Sequence, residues 1–196
     1  MNLILKNNYL NYHKYLKSTS LLGKIYRKIF LYPFLSSFIK DNFIDVGCGL
    51  GDFLSFGSNG SLGLDVNEFN INYCKKRGLN AELIKDGKFP VDDNSFSTIN
   101  LDQVLEHINE PDILLKEINR CLKLGGLLII GVPCESGYKR DPDHKVFYDL
   151  ESIKILLRKY NFNICNTFYC PLPFKFIGKI IPQQSLYVVS KLENKI

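Results

Sequence analysis

Nowhere in its 196 residues does this chain run apolar for the roughly 18 positions that a membrane-spanning helix needs, and nowhere do two cysteines stand as a CxxC pair. The first absence excludes a spanning segment. The second removes the commonest zinc and redox motifs. Cys48, Cys74, Cys121, Cys134, Cys165 and Cys170, most of them inside apolar runs, read as reduced free thiols that behave as small hydrophobes. The opening stretch MNLILKNNYLNYHK turns polar after five residues, too early for a secretory signal, and a cytoplasmic location is expected. Low-complexity tracts and internal repeats are missing as well. Acidic residues are missing from positions 1–40, which carry seven Lys or Arg. Residues 171–196 hold four Lys against Glu193, so the net charge of +5 sits at the two ends and the middle, with 14 basic and 19 acidic groups, is net negative. Basic ends on an acidic body are either solvated tails or a rim for an anionic substrate or an acidic membrane surface.

What is present fits one globular domain with a short appendage. Hydrophobic residues make up 45% and charged residues 23%, and a chain of this length buries about 70% of its unfolded surface without staples. From residue 42 onward β-rich runs alternate with helical patterns, which predicts an α/β sheet built from βαβ units. Strands are expected at 42–47, 61–66, 80–86, 96–102 and 127–133, and two more at 163–169 and 184–192. Helices are expected from Asn67 to Gly78, from Pro111 to the Gly125–Gly126 stop, and over 149–162. Residues 1–40 read as a separate helical cap or lid, and 41–196 as the main domain; the proline-punctuated stretch 170–183 could also cover an open sheet end.

The stretch FIDVGCGLGDFL places Gly47, Gly49 and Gly51 directly after the first strand. In an open parallel sheet this turn is the closest backbone approach to a bound ligand, and glycines remove the Cβ atoms that would collide with it. The spacing is GxGxG, with Asp52 where the dinucleotide fingerprint wants its third glycine. Asp65 lies 18 residues after Gly47 at the end of the second strand, placed to accept from both hydroxyls of a ribose. Asp86, followed by Gly87, is placed to accept from an exocyclic amine. The pattern asks for one nucleoside and no pyrophosphate.

Together DVGCGLGD (45–52), LGLD (62–65), DGKFPVDDNSFSTI (86–99), LDQVLEHI (101–108) and EINRCLKLGGLLIIGVP (117–133) resemble the class I S-adenosylmethionine-dependent methyltransferases, closest to the type 11 group of quinone and glycan O-methyltransferases. The resemblance covers about residues 41–165. It implies a Rossmann-like, doubly wound, seven-stranded sheet, mostly parallel with an antiparallel last strand, in three α/β/α layers. It also implies that S-adenosylmethionine is the cofactor. Asp45, Gly47, Cys48, Gly49 and Gly51 would hold its methionine part, Asp65 with Val66 the ribose side, Asp86 with Gly87 the adenine edge, and Asp102 with Gln103 the sulfonium and amino group. The chain departs from the family at Ser97, where Asp is usual, and at Gln103, the first acidic position of a stretch that binds metal in some quinone O-methyltransferases. An amide is a poorer ligand for a hard cation than a carboxylate, so no metal is expected.

Methyl transfer needs alignment first, and a hydroxyl acceptor also benefits from a base, commonly histidine. His144, in the polar loop GYKRDPDHKVFYD (137–149), is the leading candidate base or substrate-positioning residue; Tyr138, Lys139, Arg140, Asp141 and Asp143 surround it in sequence. His107 is the second candidate, equally readable as a loop buttress, and His13 reads as solvent-facing. The expected reaction is methylation of a small polar acceptor, a hydroxyl of a sugar or related polysaccharide precursor. The alternatives are a quinone, nucleic acid or protein acceptor, or a non-catalytic partner that keeps the fold. Nucleic acid is disfavoured because Asn100-Leu101-Asp102-Gln103 stands where DNA amino-methyltransferases carry Asx-Pro-Pro-aromatic. The basic N-terminal region reads as a lid, with peripheral membrane contact as the alternative.

Overall fold

The computed structural model describes residues 3–196, and the chain divides into two compact units, Met1–Pro90 and Val91–Ile196. The sheet has seven strands in the order β3-β2-β1-β4-β5-β7-β6 and is flanked by helices, the Rossmann-like arrangement.

In the first unit α1 (Leu3–Ser18) and α2 (Leu21–Tyr26) are followed by a π turn, Arg27–Leu31, that runs into α3 (Tyr32–Ser36). Strands β1 (Phe43–Val46), β2 (Leu62–Asp65) and β3 (Ala81–Leu83) pair in parallel, with Asp45 opposite Gly63 and Asp65 opposite Leu83. β1 and β2 are buried at every position, Asp45 and Asp65 included, as strands covered on both faces should be. The β1–β2 crossover contains only a 3₁₀ turn, Leu54–Phe56, while α4 (Glu68–Lys76) joins β2 to β3 and starts at Asn67, whose side chain caps the Phe69 amide. The expected third strand ends three residues early. Asp86 and Gly87 have φ of +52° and +71° and form a tight turn closed by Lys88 N–H to the Lys85 carbonyl at 2.9 Å, so the backbone has already left the strand.

In the second unit β4 (Phe96–Asp102) lies parallel to β5 (Leu122–Pro133), which pairs antiparallel with β7 (Ser185–Leu192); β7 pairs antiparallel with β6 (Phe162–Cys170). α5 (Asp112–Cys121) stops before the expected Gly125–Gly126 stop because Leu122 is already paired with Phe96. α6 (Glu135–Tyr138) and α7 (Leu150–Lys159) complete the unit; α7 opens with a reciprocal cap between Asp149 and Ser152. Residues 171–184 carry one 3₁₀ turn and leave Phe174, Phe176 and Ile180 exposed. Among the described residues no helix is long and apolar enough to cross a membrane.

Candidate cofactor and acceptor sites

In the first unit the chain after β1 reverses through Gly47, Gly49 and Gly51, with φ of +71°, +53° and +75°. The Gly47 and Cys48 amides both donate to the Leu64 carbonyl, at 2.7 and 3.0 Å, fixing the loop's entry. Arg77 fixes its exit, donating to the Leu50 carbonyl and pairing with Asp52 at 3.1 Å.

The glycines are not equivalent. A Cβ on Gly51 would lie 2.5 Å from Leu79 Cδ1 and 2.9 Å from Cys74 Sγ, so this glycine clears space for the protein's own packing and not, as expected, for a ligand. A Cβ on Gly49 would meet only Leu16 Cδ1 at 3.4 Å and the Gly47 carbonyl at 4.0 Å. On the side where a Cβ would stand, Leu16 of α1 is the only side chain near.

Asp65, only 7% exposed, organises this loop. Its Oδ2 accepts from the Gly49 amide and from Asn70 Nδ2, each at 3.0 Å, and its Oδ1 from the Asn67 amide at 2.8 Å. Burial pushes its carboxyl up, and these donors pull in the opposite direction. With the Val66 amide also drawing the carboxyl down, its acceptor positions are largely taken by the protein, and the pair of hydroxyls expected of it would compete with these donors. Asn70 is oriented in turn by His13, whose Nδ1 donates to Asn70 Oδ1 at 2.8 Å, while Asn67 Nδ2 donates to the Tyr9 carbonyl at 2.8 Å. His13 is therefore half-buried against Phe69 and Tyr73 and not solvent-facing as read from sequence. Nothing local to His13 announces this, because Asn70 lies 57 residues away.

Asp45 is buried in β1, and Val66, beside Asp65, is 54% exposed, an apolar surface next to that carboxylate. The Cys48 thiol is raised by its hydrogen bond with Cys74, by burial and by Asp45, and stays protonated. A cleft of about 520 Å³, lined by residues that include Leu83, Lys85, Lys88 and Phe89, flanks the Asp86–Gly87 turn. An anchoring acid, a glycine turn, an apolar shelf and a cleft beside the second acid fit a nucleoside with an amino-acid arm.

In the second unit Asp102 ends β4, and its Oδ1 accepts from Tyr187 Oη at 3.0 Å. Both crowd the position where Gly131 would otherwise carry a Cβ. Gln103 follows with φ +57°, a strained conformation for a residue with a side chain, held by its amide to the Gly131 carbonyl at 2.8 Å. Its Nε2 donates to Ser185 Oγ at 3.3 Å. Sequence reasoning missed Tyr187 and Ser185, which reach these residues only through the antiparallel β7.

The two expected histidines do come together, with ring centroids 4.8 Å apart, and a third residue joins them. Glu106, 1% exposed, sits in the 3₁₀ turn Leu105–His107, whose Glu106 carbonyl accepts from the Lys145 and Val146 amides at 2.8 and 3.1 Å. That pins the 137–149 loop onto the turn. His144 Nδ1 is bonded to the Tyr138 carbonyl at 2.9 Å and His107 Nδ1 to the Asp143 carbonyl at 3.3 Å. A carbonyl oxygen only accepts, so each ring carries a hydrogen on Nδ1, and Nε2 is the nitrogen left for another partner. His144 Nε2 lies 3.9 Å from Glu106 Oε1 and 3.9 Å from Asp141 Oδ2, and the Tyr138 ring stacks on the imidazole at 5.5 Å. Burial lowers the His107 pKa; burial, followed by Asp102 and Asp141, pushes the Glu106 carboxyl up to about 8. Lys139 is not part of the cluster, being paired with Glu135 at 2.6 Å, and Arg140 is exposed.

Residues 44–130 match a family model described as a methyltransferase domain. An uncharacterized protein of Methanocaldococcus jannaschii is 30% identical over 93 residues, 47% of this chain and 45% of that protein. A demethylmenaquinone methyltransferase of Staphylococcus aureus is 32% identical over 97 residues, 44% of this chain and 40% of that one. The chain spans about half the length of the curated relatives it matches. A solved SAM dependent methyltransferase from Archaeoglobus fulgidus is similar with a TM-score of 0.70, covering 93% of this chain and 99% of that chain at 18% identity. That likeness establishes the fold.

Proposed function

We propose that this chain is an S-adenosylmethionine-dependent methyltransferase whose acceptor is a hydroxyl of a small polar molecule, a sugar or related precursor of cell-surface polysaccharide. The cofactor, when bound, supplies a methyl group on a positively charged sulfur. Asp65, the backbone at Gly49, Val66 and the Asp86–Gly87 turn would hold the nucleoside, and Asp45 with the loop amides the amino-acid arm. The class I resemblance adds Asp102 and Gln103 to these.

The observation that carries a hydroxyl acceptor is the cluster of buried Glu106 with the half-buried His107 and His144. A hydroxyl is a weak nucleophile until its proton leaves, and two imidazoles anchored through Nδ1 beside a buried carboxyl are equipped to take that proton through Nε2. His144→Ala is expected to lower turnover ~10²- to 10⁴-fold while cofactor affinity, measured by calorimetry with S-adenosylhomocysteine, stays within about threefold. Collapse of cofactor affinity would instead make the histidine structural. A quinone acceptor is the second reading, favoured by the demethylmenaquinone methyltransferase relative. Screening nucleotide-activated sugars and quinone precursors with labelled cofactor separates the two by the identity of the labelled product.

For residues 21–34 we infer contact with an anionic membrane surface. Leu21, Leu22, Ile25, Ile29 and Phe30 are 44–79% exposed, interleaved with Lys24, Arg27 and Lys28, and residues 1–40 carry no acid.

A further inference from the structure

Among the α1 side chains described, only Tyr9, Leu10, His13 and Leu16 are partly buried, and their spacing of i, i+1, i+4 and i+7 makes one stripe of the helix. That stripe meets the groups that hold Asp65. The Asn67 side chain donates to the Tyr9 carbonyl, while the Asn67 backbone amide donates to Asp65. Leu16 Cδ1 stands 3.4 Å from where a Cβ on Gly49 would lie, and the Gly49 amide also donates to Asp65. His13 Nδ1 donates to Asn70 Oδ1 at 2.8 Å, and Asn70 Nδ2 donates to Asp65 Oδ2 at 3.0 Å. Three of the donors to this carboxylate are thus backed by a single face of α1.

The contact at Asn70 decides more than packing. A carboxamide keeps nearly the same shape after a half-turn about its last bond, so only its partners determine which end faces which way. Asn70 is 0% exposed, and a turned amide would set its oxygen against the Asp65 carboxylate. The His13 N–H on Oδ1 holds the amide so that Nδ2 faces the acid. Without that donor a buried carbonyl oxygen loses its partner, a cost the amide escapes only by leaving Asp65. The imidazole is itself held by Phe69 and Tyr73, with centroids 6.4 and 5.6 Å away, and both belong to α4, the helix that carries Asn70.

We propose that His13 is a positioning residue for the cofactor: through Asn70 it holds Asp65 in the arrangement that receives the nucleoside, so that docking of α1 and cofactor affinity are coupled. This role rests on the reading of Asp65 as the acid that holds the nucleoside. Such coupling is reciprocal, and bound cofactor favours the docked α1 by the same factor that the docked helix favours the cofactor.

The test is calorimetry of the full chain with S-adenosylhomocysteine. His13→Leu keeps bulk but no donor and is expected to weaken binding at least ~5-fold, whereas His13→Asn, whose side-chain N–H stands as many bonds from the backbone as Nδ1, is expected to stay within about threefold of the parent. In an Asn70→Ala background His13→Leu is expected to cause no further loss, because its effect passes through that amide. A role in helix packing alone would cost the same factor in both backgrounds. Where His13→Leu melts below the parent, the Asn variant decides, and affinity lost equally in both overturns the proposal. Unchanged affinity in His13→Leu, or an undiminished loss without Asn70, overturns it too while leaving the cofactor assignment standing. A parent chain that binds no S-adenosylhomocysteine overturns the cofactor assignment itself and this role with it.

Discussion

The two glycines at 49 and 51 occupy the same loop and the same left-handed backbone region, yet answer to different neighbours. Gly51 faces Leu79 and Cys74 at distances no Cβ tolerates, and φ of +75° adds strain for any other residue. Gly51→Ala is expected to destabilise the fold by about 1–3 kcal/mol, read as a shift in the denaturant midpoint. Gly49→Ala is expected to cost less stability and to weaken S-adenosylhomocysteine binding more than any loss of folding explains, because its Cβ would meet only Leu16 Cδ1 among the side chains. Equal effects of both changes on binding and stability would contradict this division. His144 and Glu106 belong to the same scale. The histidine is visible as a lone candidate in a polar loop, whereas the glutamate is conspicuous only once its carboxyl is seen buried without a partner.

Among the elements, α7 shows how local chemistry sets a boundary. Asp149 accepts from the Ser152 amide at 2.8 Å, and Ser152 Oγ returns a bond to the Asp149 backbone, so two otherwise orphaned amides are satisfied. The Ser152 donors hold the Asp149 carboxyl below its usual range. A lowered native pKa means the cap's contribution is complete above the unfolded value of 3.8 and is lost as pH falls through the lower native value. Asp149→Ala is expected to cost about 1 kcal/mol at neutral pH, with the gap between variant and parent closing as the carboxyl protonates. Denaturant midpoints across pH 2–7 check this. α1 makes the complementary point: Tyr9, His13 and Leu16 reach Asn67, Asn70 and the Gly49 backbone, an arrangement its weak amphipathic pattern did not announce.

Across the whole molecule the uneven charge becomes a prediction about association. A surface of exposed apolar residues among cations gains from both burial and attraction to anionic lipid, and the second term is screened over about 10 Å at 0.1 M salt. The full chain is expected to float with anionic liposomes and not with neutral ones, and less at high salt. Leu22→Asp with Phe30→Asp is expected to keep it in the soluble fraction. Flotation that ignores lipid charge or these substitutions would rule the contact out.

The sequence by itself determined the alternation of strands and helices, the GxGxG loop, the acids after the second and fourth strands, and the two histidines, because periodicity and short motifs are local and survive without a partner. It misjudged the end of β3, where an Asp–Gly pair turns the backbone before the apolar run is over, and the end of α5, where pairing with Phe96 overrides helical spacing. Only the tertiary structure decided that Gly51 serves packing, that His13 orients Asn70, that Asp65 already holds the protein's own donors, and that Glu106 joins His107 and His144. Each of these depends on residues as far as 57 positions apart meeting in a shared place, and burial, unlike spacing, is a property the chain acquires only on folding.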